Sequence, residues 1–248
     1  MHWPDYAEVV IMLTPRTVFL LLFLFACTGY ACAAEVAVCT DASDQVNPDV
    51  DKTRVVWEDH RQTYSQVYLY DSHLGSSEPI EKPPSGTNHV LQPAVSGDSI
   101  VYVAQSATGY QVRLYSIATD ASVAIRSSSH RLENPDVHAT PDGIAVVWTE
   151  YAPNATLPVE TSDIYLYTKP RLAMEKTVKI SDGMFESDPR ISDGAIVWMH
   201  RTAVTGPDSY HGPIEVIAKI GTDAPRVIST STPGDRNLLP DVSGTRTV

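Results

Sequence analysis

The chain has 248 residues, 43% of them apolar, enough for one large domain or two ordinary ones with a sizeable core. Its formal net charge of −12 and its pI near 5.0 would repel a phosphate backbone, so nucleic acid is excluded as an expected partner.

Residues 1–34 read as a secretory signal peptide. Arg16 precedes an apolar run of ten residues, Val18 to Cys27, too short to span a bilayer stably, and Ala31 and Ala33 then stand at A-x-A spacing. The stretch before Met12 is odd for the start of a signal, and Met12 is the expected true start. Cleavage after Ala33 or Ala34 removes Cys27 and Cys32 and leaves Cys39 alone, so no internal disulfide is expected. The alternative is a faint lipobox, Leu24-Phe25-Ala26-Cys27, with lipid on Cys27; Phe25 fits that pattern badly.

The rest of the chain is a repeat. Five segments align on a proline: "NPDVDKTRVVW", "QPAVSGDSIVY", "NPDVHATPDGIAVVW", "DPRISDGAIVW" and "LPDVSGTRTV". The anchors Pro48, Pro93, Pro135, Pro189 and Pro240 are spaced by 45, 42, 54 and 51 residues, a period that signals a propeller or solenoid. A second segment follows each of the first four anchors: "QVYLYD", "QVRLYS", "DIYLYT" and "IEVIA". A third follows in turn: "PIEK", "SVAIRS", "TVKIS" and "RVIST". These pieces are β-branched and aromatic, lie between Gly, Pro, Asp and Ser, and show no helical period, so the chain is expected to be all β.

Each repeat therefore supplies four strands, from the inside outwards: a, the short proline-led piece; b, ending on Trp or Tyr; c; and d. Proline opens strand a because the innermost edge is unpaired. A glycine turns a into b in the second to fifth repeats, where positive φ is cheap only without a Cβ. Trp57, Trp148 and Trp198 recur in strand b and are read as core between blades rather than as a sugar platform. Radial stacking of such small sheets is the propeller solution.

The pattern P-x-V-S-G-D-x-I-V-W, a charged stretch, then I-Y-L-Y-D and a closing strand resembles the blades of TolB-like β-propellers, especially those of secreted and cell-surface prokaryotic proteins. The resemblance covers residues 35 to 248 and implies fold far more than function. It implies that Asp59 and Arg61, in the family spacing W-x-D-x-R, form a blade-locking pair. In that register "EVAVCT" (35–40) matches a strand d that would close the ring. The end at "SGTRTV" falls inside a fifth strand b, so four repeats are complete and a fifth is cut off. TolB-like rings usually have six blades, so a truncated reading of a longer protein is expected; a complete chain would leave open edges that favour self-association.

The charged burst Glu58-Asp59-His60-Arg61 lies in the b–c loop of the first repeat. Degenerate equivalents stand in the others: Ala104-Gln105, Thr149-Glu150-Tyr151 and Met199-His200-Arg201. The b–c and d–a loops share one face of a propeller around the channel mouth. His60, Gln105, Glu150, Tyr151, His200 and Arg201 are the candidate binding residues there, with Asn88, His89, Glu133, Phe185 and Glu186 from the d–a side. Two histidines among carboxylates could hold a divalent metal, but no pair has metal-motif spacing, and neither metal nor cofactor is expected. Asn154 opens a glycosylation sequon in a long b–c insertion of the third repeat, and the fourth carries a second insertion. No G-x-S-x-G, H-E-x-x-H, phosphate loop or calcium loop is present. The expected function is a non-enzymatic exported scaffold that binds an envelope or extracellular protein or glycan. The alternative is a propeller enzyme: a polysaccharide hydrolase or lyase drawing on His60, His89 and His200, or the propeller of a peptidase.

Overall fold

The computed structural model describes residues 35–80, 87–153, 160–181, 183, 185–201, 213–231, 239–244 and 246–247. Residues 1–34, read above as a signal peptide, with Cys27 and Cys32, and Asn154 lie outside them. Residues from Val38 onward form one of two units; of the other, Met1–Ala37, residues 35–37 are described and carry no strand. Among the described residues no helix is long and apolar enough to cross a membrane, and Cys39 is a free thiol.

Four four-stranded antiparallel sheets follow one another, each built from consecutive strands. The first is β1 (Gln45–Asp51), β2 (Arg54–Asp59), β3 (Gln66–Asp71) and β4 (Ser76–Pro79). The second is β5 (Thr87–Ser96), β6 (Ser99–Ser106), β7 (Gly109–Ser116) and β8 (Ala121–Ser128). The third is β9 (Leu132–Thr140), β10 (Gly143–Pro153), β11 (Glu160–Pro170) and β12 (Lys176–Lys179). The fourth is β13 (Glu186–Ser192), β14 (Ala195–Arg201), β15 (Ile214–Ile220) and β16 (Arg226–Thr230). A two-stranded pair, β17 (Val242–Ser243) and β18 (Arg246–Thr247), stands where the fifth repeat begins. This is a partial β-propeller of four-stranded blades.

The sheets stack because strands b and c are apolar on both faces. Val56, Ile100 and Tyr102 fill the space between the first and second blades, and Val101, Val112 and Trp148 that between the second and third. Ile164, Ile196 and Trp198 fill the next gap, and Val197 with Val242 joins the fourth blade to the stray pair. Trp148 and Trp198 are almost wholly inaccessible. Trp57 and Trp148 also stack on the tyrosines opposite them in strand c, Tyr68 at 5.7 Å and Tyr165 at 5.9 Å.

Three expectations are corrected. Proline does not open strand a: in the four complete blades the innermost strand begins three to six residues before the anchor proline, and the pairing register breaks there. The residue before each anchor proline is left-handed: Asn47 at φ 50°, Gln92 at 52°, Asn134 at 51°, Asp188 at 53° and Leu239 at 86°. A bulge is where a strand tolerates a proline, since the ladder is already interrupted. The fourth strand of the first blade is Ser76–Pro79 rather than "PIEK"; Ile80 instead turns inward, buried, and donates its N–H to the Val67 carbonyl at 3.0 Å. Residues 35–40 form no strand, and no strand c of a fifth blade is described for them to pair with.

Candidate functional site

The innermost strands β1, β5, β9 and β13, with Asp241–Ser243, line a cavity of about 800 Å³. Its wall is held together by hydrogen bonds from one blade to the next, at three depths set by position relative to the anchor proline. One residue before the proline, the Gln92 N–H donates to Glu58 Oε2 at 3.1 Å, the Asn134 N–H donates to Gln92 Oε1 at 2.9 Å, and Asn134 Nδ2 donates to Asp188 Oδ1 at 2.8 Å. One residue after it, Asp49 Oδ2 accepts from the Val95 N–H and Asp136 Oδ2 from the Ile191 N–H, both at 2.7 Å. Three residues after it, Asp51 accepts from the Gly97 N–H at 2.6 Å, Ser96 from Ala139 at 3.0 Å and Ser192 from Gly244 at 2.9 Å. The left-handed residues thus belong to a chain of contacts that runs across three blade boundaries.

At the loop end of the first, third and fourth blades, a second set of contacts surrounds a buried carboxylate. The Asp59 carboxylate, inaccessible to solvent, accepts from Arg61 Nε at 2.8 Å, Arg61 Nη2 at 2.7 Å and Trp57 Nε1 at 3.1 Å. Arg61 lies over the Tyr68 ring, 4.2 Å from its centroid. Burial pushes the Asp59 carboxyl up, but the Arg61 side chain and N–H, with Trp57, outweigh it and hold the pKa at about 2. In the third blade the same place is taken by Glu150, whose cation comes from the preceding blade: Arg126 of β8 donates to it at 2.9 and 2.5 Å and lies 5.6 Å from the Tyr165 centroid. In the fourth, Glu186 of β13 lies beside Trp198 and meets His200 Nδ1 at 3.0 Å.

The candidate binding residues are therefore divided among neighbours rather than gathered in one cluster. His60 Nε2 meets Glu58 Oε1 at 2.8 Å, with the imidazole 41% exposed. Gln105 reaches the Tyr110 hydroxyl, at 3.5 Å, across its own hairpin. Glu150 is buried in the Arg126 pair, which corrects its placement among the presented residues: its strand position turns it between blades. Tyr151 lies under Arg131, 3.7 Å from ring centroid to guanidinium carbon, and burial together with the adjacent Glu133 carboxylate pushes its hydroxyl well above the ordinary value. The Arg201 N–H donates to the Phe185 carbonyl at 3.1 Å and that of Tyr151 to the Arg131 carbonyl at 2.9 Å, so in the third and fourth blades a b–c residue lies beside a d–a residue of its own blade. His89 Nδ1 lies 3.2 Å from the Ser65 nitrogen. His60, His89 and His200 thus have separate partners, and among the described residues no three His, Cys, Asp or Glu side chains form a metal-holding group.

Sequence reasoning missed Asn47, Gln92, Asn134 and Asp188, although a polar residue before four of the five anchor prolines is a visible signal. It also missed Arg126, for which no signal exists in the spacing, because its partner belongs to another repeat.

No protein-family model and no curated protein matches the chain. Among solved structures it is similar to TolB from Acinetobacter baumannii, with 18% identity and a TM-score of 0.56 over 82% of this chain and 47% of that one. It is also similar to hydrazine synthase of Kuenenia stuttgartiensis, with 11% identity and a TM-score of 0.52 over 71% of this chain and 29% of that one. A putative TolB from Agrobacterium tumefaciens matches with 13% identity and a TM-score of 0.50, over 76% and 66% of the two chains. The chain spans about half the length of the Acinetobacter protein. Its fold is that of a TolB-like propeller, and at these identities the likeness extends to fold alone.

Proposed function

We propose that the chain serves as an exported, non-enzymatic interaction scaffold that binds an envelope or extracellular protein, or a glycan, on the face formed by the b–c and d–a loops. One observation carries this reading. In those loops the polar and aromatic side chains are each fixed by a neighbour, His60 by Glu58, Tyr151 by Arg131 and His200 by Glu186. A surface whose rotamers are already restricted loses little conformational entropy when a partner docks, which favours binding. Export rests on the signal-like residues 1–34, with Cys27 lipidation as the other outcome of processing.

The test is partner capture from envelope extracts by immobilised chain, wild type against a Tyr151→Ala, His200→Ala, Arg201→Ala triple variant. Loss of a specific captured species in the variant, with an unchanged circular dichroism spectrum, is expected. Unchanged capture removes this face from consideration. N-terminal sequencing of the mature protein is expected to begin at Ala34 or Glu35.

A further inference from the structure

Consecutive strands of each complete blade are antiparallel neighbours, so its a–b and c–d turns lie at the end of the sheet opposite its b–c loop. In the third blade the Arg171 N–H, from the c–d turn, donates at 2.8 Å to the carbonyl of Asp142 in the a–b turn beside it. The c–d turns are not alike. Those of the first and second blades place four residues between paired strand ends, Asp71 with Ser76 and Ser116 with Ala121. Those of the third and fourth place seven, from Thr168 to Lys176 and from Ala218 to Arg226. The fourth turn folds its extra length back: Lys219 Nζ donates to the Asp223 carbonyl at 2.6 Å, and Ile220 packs on the cluster of Val197 and Val242. The third turn does the opposite. Leu172, 95% exposed, and Met174, 91% exposed, stand two residues apart on it and are the two most exposed large apolar side chains among the described residues.

Single apolar side chains on a surface are ordinary. These two are set apart by the charge around them. Residues 169–179 carry Lys169, Arg171, Lys176 and Lys179 against one carboxylate, Glu175, in a chain that has 18 Lys and Arg against 30 Asp and Glu. The Tyr167 hydroxyl donates to Glu175 at 2.8 Å and ties that carboxylate to β11, while Lys179 is paired with Asp163 at 3.1 Å. Lys169, Arg171 and Lys176 are exposed and have no side-chain ion pair among the described residues. Asp142, exposed on the adjoining turn, offsets one of them.

We propose that the c–d hairpin of the third blade is a membrane-contact element: Leu172 and Met174 enter the headgroup region of a bilayer that contains anionic lipid, and Lys169, Arg171 and Lys176 lie against its phosphates.

The shape and the charge both select a bilayer over a protein. Two side chains on a narrow turn cover far less than the roughly 800 Å² per partner of a stable protein interface. A bilayer accepts such a point contact by insertion, and each apolar group that enters it leaves water. Long cationic side chains suit the same depth, since their methylenes cover apolar surface while the charge stays among the phosphates. The net charge of −12 opposes approach to an anionic surface, but screening confines that repulsion to about 8–10 Å at physiological salt, so contact is favourable through this hairpin. One apolar tip with three cations is a single weak signal, which makes the attachment reversible. It also leaves the b–c end of the third blade directed away from the bilayer.

The experiment is co-sedimentation of the processed chain, beginning at Ala34 or Glu35, with vesicles of phosphatidylcholine alone and of phosphatidylcholine with about one third phosphatidylglycerol, in about 0.1 M salt. The wild type is expected to bind the anionic vesicles about tenfold more tightly than the neutral ones, since each cation at the surface contributes about fivefold and Asp142 opposes. Leu172→Ser with Met174→Ser is expected to lower binding to the anionic vesicles about tenfold or more. Lys169→Gln with Lys176→Gln is expected to lower it about tenfold and to leave binding to neutral vesicles unchanged. Leu74→Ser, on the c–d turn of the first blade where residues 72–75 include no Lys or Arg, is expected to change neither. All these side chains are exposed, so the variants keep the fold. Absence of vesicle binding by the wild type overturns the proposal, as does binding that the double serine variant retains. A dimer in lipid-free buffer that the same variant abolishes also overturns it, and assigns the tip to a second copy of the chain. None of these outcomes bears on partner capture by the b–c loops.

Discussion

Removing the Arg61 guanidinium should weaken the first blade and also reverse its response to acid. Asp59 is held at about 2 against an ordinary 3.8, a gap worth roughly 2.5 kcal/mol at 1.36 kcal/mol per pH unit. A depressed carboxyl contributes stability above its unfolded pKa and loses it as pH falls through the folded one, so the wild-type contribution disappears between about pH 4 and pH 2. Arg61→Ala removes both donors on Asp59 and the contact over Tyr68, leaving a buried carboxylate with Trp57 Nε1 and the backbone N–H of residue 61. Breaking a buried pair costs about 3–5 kcal/mol; Arg61 is 27% exposed, so water recovers part of this and about 2–3 kcal/mol is expected at pH 7. Burial, the largest single influence on Asp59, then acts with much less opposition, its pKa rises above the ordinary value, and Asp59 adds stability to the variant between pH 6 and pH 4, where it adds none to the wild type. Arg61→Lys restores the charge without the two-pronged geometry and should recover about half of the loss. The assay is urea unfolding followed by tryptophan fluorescence at pH 7, 5 and 4. Parallel pH profiles for wild type and Arg61→Ala, or a loss under about 0.5 kcal/mol at pH 7, would refute the reasoning.

Two further outcomes are expected from the same unfolding assay. A Cβ at Gly143 would sit 2.7 Å from the Lys169 carbonyl oxygen at φ 155°, so Gly143→Ala should cost about 2 kcal/mol or more, whereas Gly75→Ala, with open space around it, should cost about 1. At the left-handed positions, Gln92→Leu removes the acceptor for the Asn134 N–H and should destabilise by about 1–2 kcal/mol, while Leu239→Asn gives an exposed left-handed site a residue that suits it and should stabilise by about 0.5–1. Equal effects of these last two substitutions would show that the residue before the proline has no role across the blade boundary.

The repeat and its four-strand content were legible because each unit writes its own turn chemistry: the anchor proline, the glycine after it, and alternating aromatic and branched residues that suit a strand packed on both sides. The strand d of the first blade was misplaced because "PIEK" and "SSEP" both fit a short, half-exposed outer strand, and only packing of Ile80 beneath Val67 selects between them. The bulge at the proline was not read because local propensity disfavours a left-handed residue before proline. What overrides it is the contact with the next blade, and that is not local. In the b–c loops, Glu150 was taken for a presented group, whereas the structure buries it against Arg126. Its partner Arg126 lies in another repeat, and a reading confined to equivalent columns has no way to pair them.

The Trp–carboxylate–cation arrangement explains why those columns look degenerate. Read by position, the first, third and fourth blades carry Asp59, Glu150 and His200 two residues after the tryptophan, which suggests decay of a motif. Read in space, each has a buried carboxylate beside the end of strand b and a basic side chain on it. Only the source changes: Asp59 with Arg61 of its own loop, Glu150 with Arg126 of the preceding blade, and Glu186 of strand a with His200. The second blade has Tyr102 and Ala104 in these places, and Arg113 Nε reaches the Tyr102 hydroxyl at 3.3 Å instead. The requirement that survives is physical: a carboxylate buried at the end of strand b needs a cation beside it, from whichever strand can reach.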